Sequence, residues 1–152
     1  MNLIKAIASF SLIFTSISAF DPLIESRCVQ SEIAVTTAEY GHIDAKGLKS
    51  LIDSGLPIVI LDARGHKWSD PNKLPGALSA SYESSFDELE TIIPTQQTLV
   101  VVYCYSSTCP LCGKLARRLV EFGYDNVVEY PGGLKEWRDI AEYPVEEHTR
   151  RS

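Results

Sequence analysis

Leu99-Val-Val-Val-Tyr-Cys104-Tyr-Ser-Ser-Thr-Cys109-Pro-Leu-Cys112-Gly-Lys-Leu-Ala116 is the stretch on which the reading of this chain turns. A short, continuous apolar run ends at Cys104, as in a strand buried on both faces. A polar loop of Tyr105, Ser106, Ser107 and Thr108 follows and reaches Cys109. Beyond it Leu111, Leu115, Leu119 and Phe122 recur at helical spacing until Gly123, and Pro110 suits a first turn, where a missing N–H costs nothing. Three cysteines thus crowd a strand–loop–helix junction. Backbone N–H groups point into such a loop, and the positive end of the helix favours a thiolate over a thiol.

The elements on either side have the same alternating character. Asp44 is placed to cap a helix with Leu48, Leu51 and Ile52 on one face, ending near Gly55. Residues 57–61 form a second apolar run, and residues 62–76, rich in Gly, Pro, Asp and Asn, read as a long loop. Residues 77–80 suit a short strand. Ser84 and Ser85 can cap a helix carrying Phe86, Leu89, Ile92 and Ile93, which Pro94 stops. Residues 127–130 read as another strand, after which Gly132 and Gly133 lead into a short helix with Leu134 and Trp137. Strands alternating with helices predict an α/β domain with a mainly parallel sheet, whose ligands bind at the carboxyl ends of the strands. Cys104 stands at one of those ends.

The first nineteen residues read as a secretory signal peptide. Lys5 is the basic n-region, Ala6 to Phe14 with Ile17 form the apolar h-region, and small residues close it around Ala19. The segment is too short for a durable membrane span. The predicted organisation is a signal peptide at 1–19, a leader at 20–40 with a short strand at 33–36, an α/β domain at 41–145, and a polar tail at 146–152. The expected location is the periplasm or the cell exterior, with no membrane attachment after signal removal. With 14 basic against 20 acidic side chains the net charge is −6. That balance argues against nucleic acid as a partner. Four cysteines in an exported chain usually mean two disulfides, yet three of these lie in one loop and Cys28 stands apart.

Three separated landmarks resemble those of rhodanese domains, the sulfurtransferase fold shared with the cell-cycle dual-specificity phosphatases. Ile60-Leu-Asp62-Ala-Arg64 is similar to the family's strand ending in Asp-x-Arg. Leu74-Pro-Gly-Ala77 is similar to its Ile-Pro-Gly-Ala, with Lys73 where a histidine is commoner. Gly123-Tyr-Asp-Asn-Val127 followed by Tyr130-Pro-Gly-Gly-Leu-Lys-Glu-Trp137 resembles its closing signature. The resemblance spans residues 43–140. It implies a three-layer domain with a mainly parallel five-stranded sheet flanked by helices. It also implies that Cys104 is the catalytic cysteine, accepting sulfane sulfur as a persulfide while the amides of residues 105–109 cradle the anion. Asp62 and Arg64 would orient loops by ion pairing. The partners implied are a small sulfur donor, a thiol or cyanide-like acceptor and a thiol reductant protein, without a cofactor.

The loop departs from the common Cys-x-x-Gly-x-Arg-Ser form and resembles a subgroup with Cys-x4-Cys-Pro before the helix. It has no Arg or Lys until Lys114, so no local cation awaits an anionic donor such as thiosulfate. The phosphatase branch needs Cys-x5-Arg, and here that position is Pro110. Cys109-Pro-Leu-Cys112 also looks like a thioredoxin motif, although the residues after it lack that fold's later elements. The pattern predicts a Cys109–Cys112 disulfide with Cys109 the more acidic thiol, and makes both residues candidate resolving thiols; the alternative is a Cys112 buried against the helix face and permanently reduced. Cys-x4-Cys-x2-Cys matches the start of an iron–sulfur site, but a further downstream cysteine is missing. No metal is expected. His42, His66 and His148 are scattered and read as surface residues. Sulfur transfer through Cys104 is therefore the leading function. The alternatives are a thiol–disulfide or persulfide reductase using Cys109 and Cys112, and a non-catalytic rhodanese-like binding module.

Overall fold

Two apolar runs form the centre of the sheet: Ile58–Asp62 (β2) and Leu99–Tyr103 (β5) pair in parallel, with Ile58 opposite Leu99 and Asp62 opposite Tyr103. The computed structural model describes residues 39–65 and 70–147. Val127–Tyr130 (β6) lies on the other side of β5, and two-residue strands close the edges, Gly41–His42 (β1) beside β6 and Leu78–Ser79 (β4) beside β2. The order is β1-β6-β5-β2-β4, parallel throughout. The expected signal segment at 1–19, the expected strand at 33–36, Cys28, His66 and His148 lie outside the described residues.

Successive residues of β5 face opposite sides, as a pleated strand requires, and each side has its own core. Val100 and Val102 pack with Leu89, Leu115 and Leu119, whereas Val101 and Tyr103 pack with Leu48, Leu134 and Trp137. The first face is covered by Phe86–Glu90 (α2) and Leu111–Glu121 (α3). The second is covered by Ala45–Ser54 (α1), Gly133–Lys135 (α4) and the π-helical turn Glu136–Ile140 that continues α4. The result is a three-layer α/β domain with a five-stranded parallel sheet. Val100, Val101 and Val102 are fully buried. Each such side chain contributes about 1.5–3 kcal/mol of hydrophobic stabilisation, so β5 is a strongly anchored base for the loop that follows.

Local chemistry sets the helix ends. Asp44 Oδ1 accepts from Gly47 N–H at 2.7 Å to start α1, and Gly55 ends it in the left-handed region at φ 67°. Ser85 and Glu88 form a reciprocal capping box at α2. At α3 the N-cap residue is Pro110, and no side chain caps the helix. Residues 62–76, expected as one loop, contain Asn72–Lys73 (β3), which pairs antiparallel with Glu146–Glu147 (β7) at the start of the expected polar tail. Lys73 and Glu146 approach to 3.6 Å across that ribbon. Among the described residues no helix is long and apolar enough to cross a membrane.

Candidate active site

Cys104 follows β5 directly and is fully buried, at the carboxyl end of the central strand. Its carbonyl accepts from Leu134 N–H at 3.0 Å, and the Tyr105 carbonyl accepts from Lys135 N–H at 2.9 Å. The loop is thereby seated on the turn that opens α4. Gly133, at φ 65°, makes the seat close enough: a Cβ there would lie 2.6 Å from the Cys104 carbonyl oxygen. Tyr105 packs against the cores of both faces. Ser106 and Thr108 hydroxyls lie 3.1 Å apart at the loop tip.

The cysteines pair differently from the sequence expectation. A disulfide joins Cys104 to Cys109, not Cys109 to Cys112. The Cys109 N–H donates to the Ser106 carbonyl at 3.0 Å, turning the chain back over the strand end. The two Cα atoms are then 6.4 Å apart, within reach of a disulfide. Cys112 sits in the first turn of α3, buried, and its thiol donates to Glu129 Oε1 of β6 at 2.9 Å. Burial first, then the Glu129 hydrogen bond and charge, push the Cys112 thiol up to about 12. At this cysteine the apolar surroundings and the carboxylate outweigh the helix terminus, and the thiol keeps its proton.

Asp62 and Arg64 form a buried, bidentate ion pair, with Arg64 Nε 2.8 Å from Asp62 Oδ1. The Tyr103 hydroxyl donates to Asp62 Oδ2 at 2.8 Å and accepts from Leu74 N–H at 3.1 Å. Arg64 Nη2 also donates to the Asn72 carbonyl at 2.7 Å. The network joins β2, β5 and the long loop beneath the site. Burial and the Asp62 charge raise the Tyr103 phenol far above its ordinary value, so it acts there as a fixed donor.

Beside the loop tip lies a cleft of about 510 Å³, lined by Ser106, Ser107, Thr108, Lys135, Glu136 and Ile140 together with Pro131 and Gly132. Lys114, the first cation after the loop in sequence, instead lies 5.1 Å from the centre of the Tyr82 ring. The cation near the loop is Lys135, from a different strand–helix turn, and sequence reasoning missed it. A signal was present, because Gly132-Gly133-Leu134-Lys135 opens the helix after β6, and neighbouring strand ends of a parallel sheet share one crevice. His42, on the edge strand, is exposed and lies 3.5 Å from Glu129. Among the described residues no group of three or more His, Cys, Asp or Glu could hold a metal ion.

A rhodanese-like domain model matches residues 44–140, well over half of the chain. The chain belongs to the rhodanese-like domain family. Its fold is similar to the BH2092 protein from Bacillus halodurans, with a TM-score of 0.64 at 20% identity over 84% of this chain and 88% of that one. It is also similar to the rhodanese-like domain of an Anabaena protein, with a TM-score of 0.60 at 24% identity over 75% and 85%. A thiosulfate sulfurtransferase from Pseudomonas aeruginosa aligns with a TM-score of 0.60 at 20% identity. That alignment covers 83% of this chain and 22% of the larger enzyme. No curated protein matches the sequence. In this rhodanese-like domain the landmark residues Asp62, Arg64 and Trp137 are all buried, and the three-cysteine loop rises at the carboxyl edge of the sheet.

Proposed function

We propose that this rhodanese-like protein is an exported sulfurtransferase that carries sulfane sulfur as a persulfide on Cys104, with the Cys104–Cys109 disulfide as its oxidised resting form. The observation that carries the reading is the place of Cys104, at the head of the loop on the carboxyl end of the central strand. With the disulfide reduced, the Cys104 thiolate attacks the outer sulfur of a donor R–S–SH. The donor S–S bond breaks, R–S⁻ leaves, and Cys104–S–SH forms. An acceptor thiolate or cyanide then takes the outer sulfur and returns the Cys104 thiolate. Loop amides stabilise the anionic sulfur at each stage. The Cys-x4-Cys-Pro pattern resembles that of a subgroup of the family, and a loop of that kind suits this reading.

The observed disulfide favours a second reading, persulfide reduction. Here the Cys109 thiolate attacks the Cys104 sulfur of Cys104–S–SH, HS⁻ leaves, and the Cys104–Cys109 bond re-forms. A thiol reductant protein must supply two electrons to open it again. Cys109 is the resolving thiol in this scheme, and the protonated, carboxylate-bound Cys112 stays outside it.

Intact mass separates the readings. Reduced, desalted protein treated with polysulfide should gain about 32 Da on Cys104, and the Cys104→Ser variant should gain nothing there. Sulfide release with return of the disulfide identifies the reductase. A chain that never gains sulfur is a binding module.

A further inference from the structure

We propose that the cleft beside the loop is a recognition site for an amino-acid persulfide, with Lys135 selecting the donor's carboxylate and Glu136 its ammonium group. The inference rests on the sulfur-transfer reading and adds the substrate class. Three features of the cleft support it. Its lining carries one ammonium and one carboxylate, so the charges cancel and a compact dianion such as thiosulfate gains little. A zwitterion can meet both. The hydroxyls of Ser106, Ser107 and Thr108 offer hydrogen bonds, and Ile140, 74% exposed, gives the rim an apolar face suited to a short aliphatic chain.

Gly132 leaves room for Glu136 at the cleft, and the Glu136 carboxylate also reaches Tyr130. Gly132 has no Cβ, and the space one would fill is occupied by Glu136 Oε2. The carboxylate therefore folds back over the turn instead of extending into solvent. Lys135 emerges from the residue whose amide binds the Tyr105 carbonyl at 2.9 Å, which fixes its origin relative to the loop. The π-helical turn over Glu136–Ile140 adds a residue to the local period and brings Ile140 to the same rim as Glu136. A cation from the turn after β6 thus stands where the loop itself carries none.

The test uses the oxidised full chain, whose Cys104–Cys109 bond blocks sulfur transfer, so occupancy of the cleft is read apart from catalysis. Backbone amide NMR shifts are followed during titration with S-ethyl-L-cysteine, an inert zwitterionic thioether. Parallel titrations use 2-(ethylthio)ethanol, which has no charge, and thiosulfate. The expected result is a saturable shift at residues 106–108 and 135–136 for S-ethyl-L-cysteine, with the two controls at least roughly five-fold weaker. Lys135→Gln and Glu136→Gln should each weaken the zwitterion by a similar factor, and Lys135→Arg should restore most of it. Equal binding of the uncharged control, tighter binding of thiosulfate, no saturable shift, or indifference to Lys135→Gln overturns the proposal. Failure of Cys104 to gain sulfur would sink the transfer reading and leave this binding result standing.

Discussion

Gly133 and Cys104 meet backbone to backbone. The Leu134 amide after Gly133 reaches the Cys104 carbonyl at 3.0 Å, and a Cβ on Gly133 would sit 2.6 Å from that same oxygen. The glycine is also in the left-handed region, at φ 65°. The family's Gly-Gly pair therefore has a specific task here, which is to let the turn after β6 lie flush against the residue that bears the candidate nucleophile.

Gly133→Ala meets both obstacles at once, a backbone contact that cannot yield and a positive φ. It should lower stability by at least about 2 kcal/mol. The loop should be displaced as well, so persulfide formation on reduced Cys104 should fall even at temperatures where the variant stays folded. Urea unfolding and intact-mass kinetics read the two effects separately.

The Asp62–Arg64–Tyr103 network predicts a graded series. Asp62→Ala leaves a buried guanidinium without its counter-charge and should cost about 3–5 kcal/mol. Tyr103→Phe removes one hydrogen bond to Asp62 and leaves the Leu74 amide without its acceptor, at about 1–3 kcal/mol. The double variant should cost less than the sum, because both lesions strike the same carboxylate. Denaturant midpoints of the four proteins check this.

Cys112 predicts a pH dependence. Its folded-state value of about 12 lies above the ordinary 9.0, so between pH 9 and 12 the unfolded chain has lost a proton that the folded chain keeps. The contribution is complete below pH 9 and is lost as pH rises through that window. Raised tyrosines share the window, so the readout is the difference between wild type and Cys112→Ala, whose stability should fall less steeply. At pH 8, iodoacetamide should label Cys112 in the folded, reduced protein about 100-fold more slowly than in denaturant.

The Cys104–Cys109 bond closes a loop of sequence separation 5. So short a closure restricts the unfolded chain by about 2 kcal/mol in the entropic account. Dithiothreitol should therefore open it with the domain still folded, seen as an unchanged far-ultraviolet circular dichroism spectrum and a modest drop in melting temperature. Cys109→Ser should let the Cys104 persulfide accumulate for longer, because its internal resolving thiol is gone. Faster loss of the persulfide in that variant would argue against the reductase scheme.

Much of this architecture was legible in the chain because its signals are local. The apolar runs of β2 and β5, the Asp44 and Ser85 caps and the left-handed Gly55 follow from residue chemistry within a few positions. The ion-pairing role of Asp62 and Arg64 came from the resemblance to rhodanese domains, not from the residues alone. What could not be read depends on how loops fold back in space. A Cys-x-x-Cys at a helix start suggests its own disulfide, but Glu129, seventeen residues later, captures Cys112, and the turn at Ser106 delivers Cys109 to Cys104. Lys135 was hidden likewise: its nearness to the loop depends on β6 lying next to β5. The β3–β7 ribbon joins segments too far apart, and too short, for any periodic pattern to announce it.

The two outermost strands of the parallel sheet, β1 and β4, are only two residues long. A foreign strand seeking to extend the sheet finds a ladder of one or two rungs at either side, too few to nucleate a continuous cross-molecular ribbon. The unpaired edges of this domain are therefore short. Its strongly apolar β2 and β5 are kept inside the sheet, each with a neighbour on both sides.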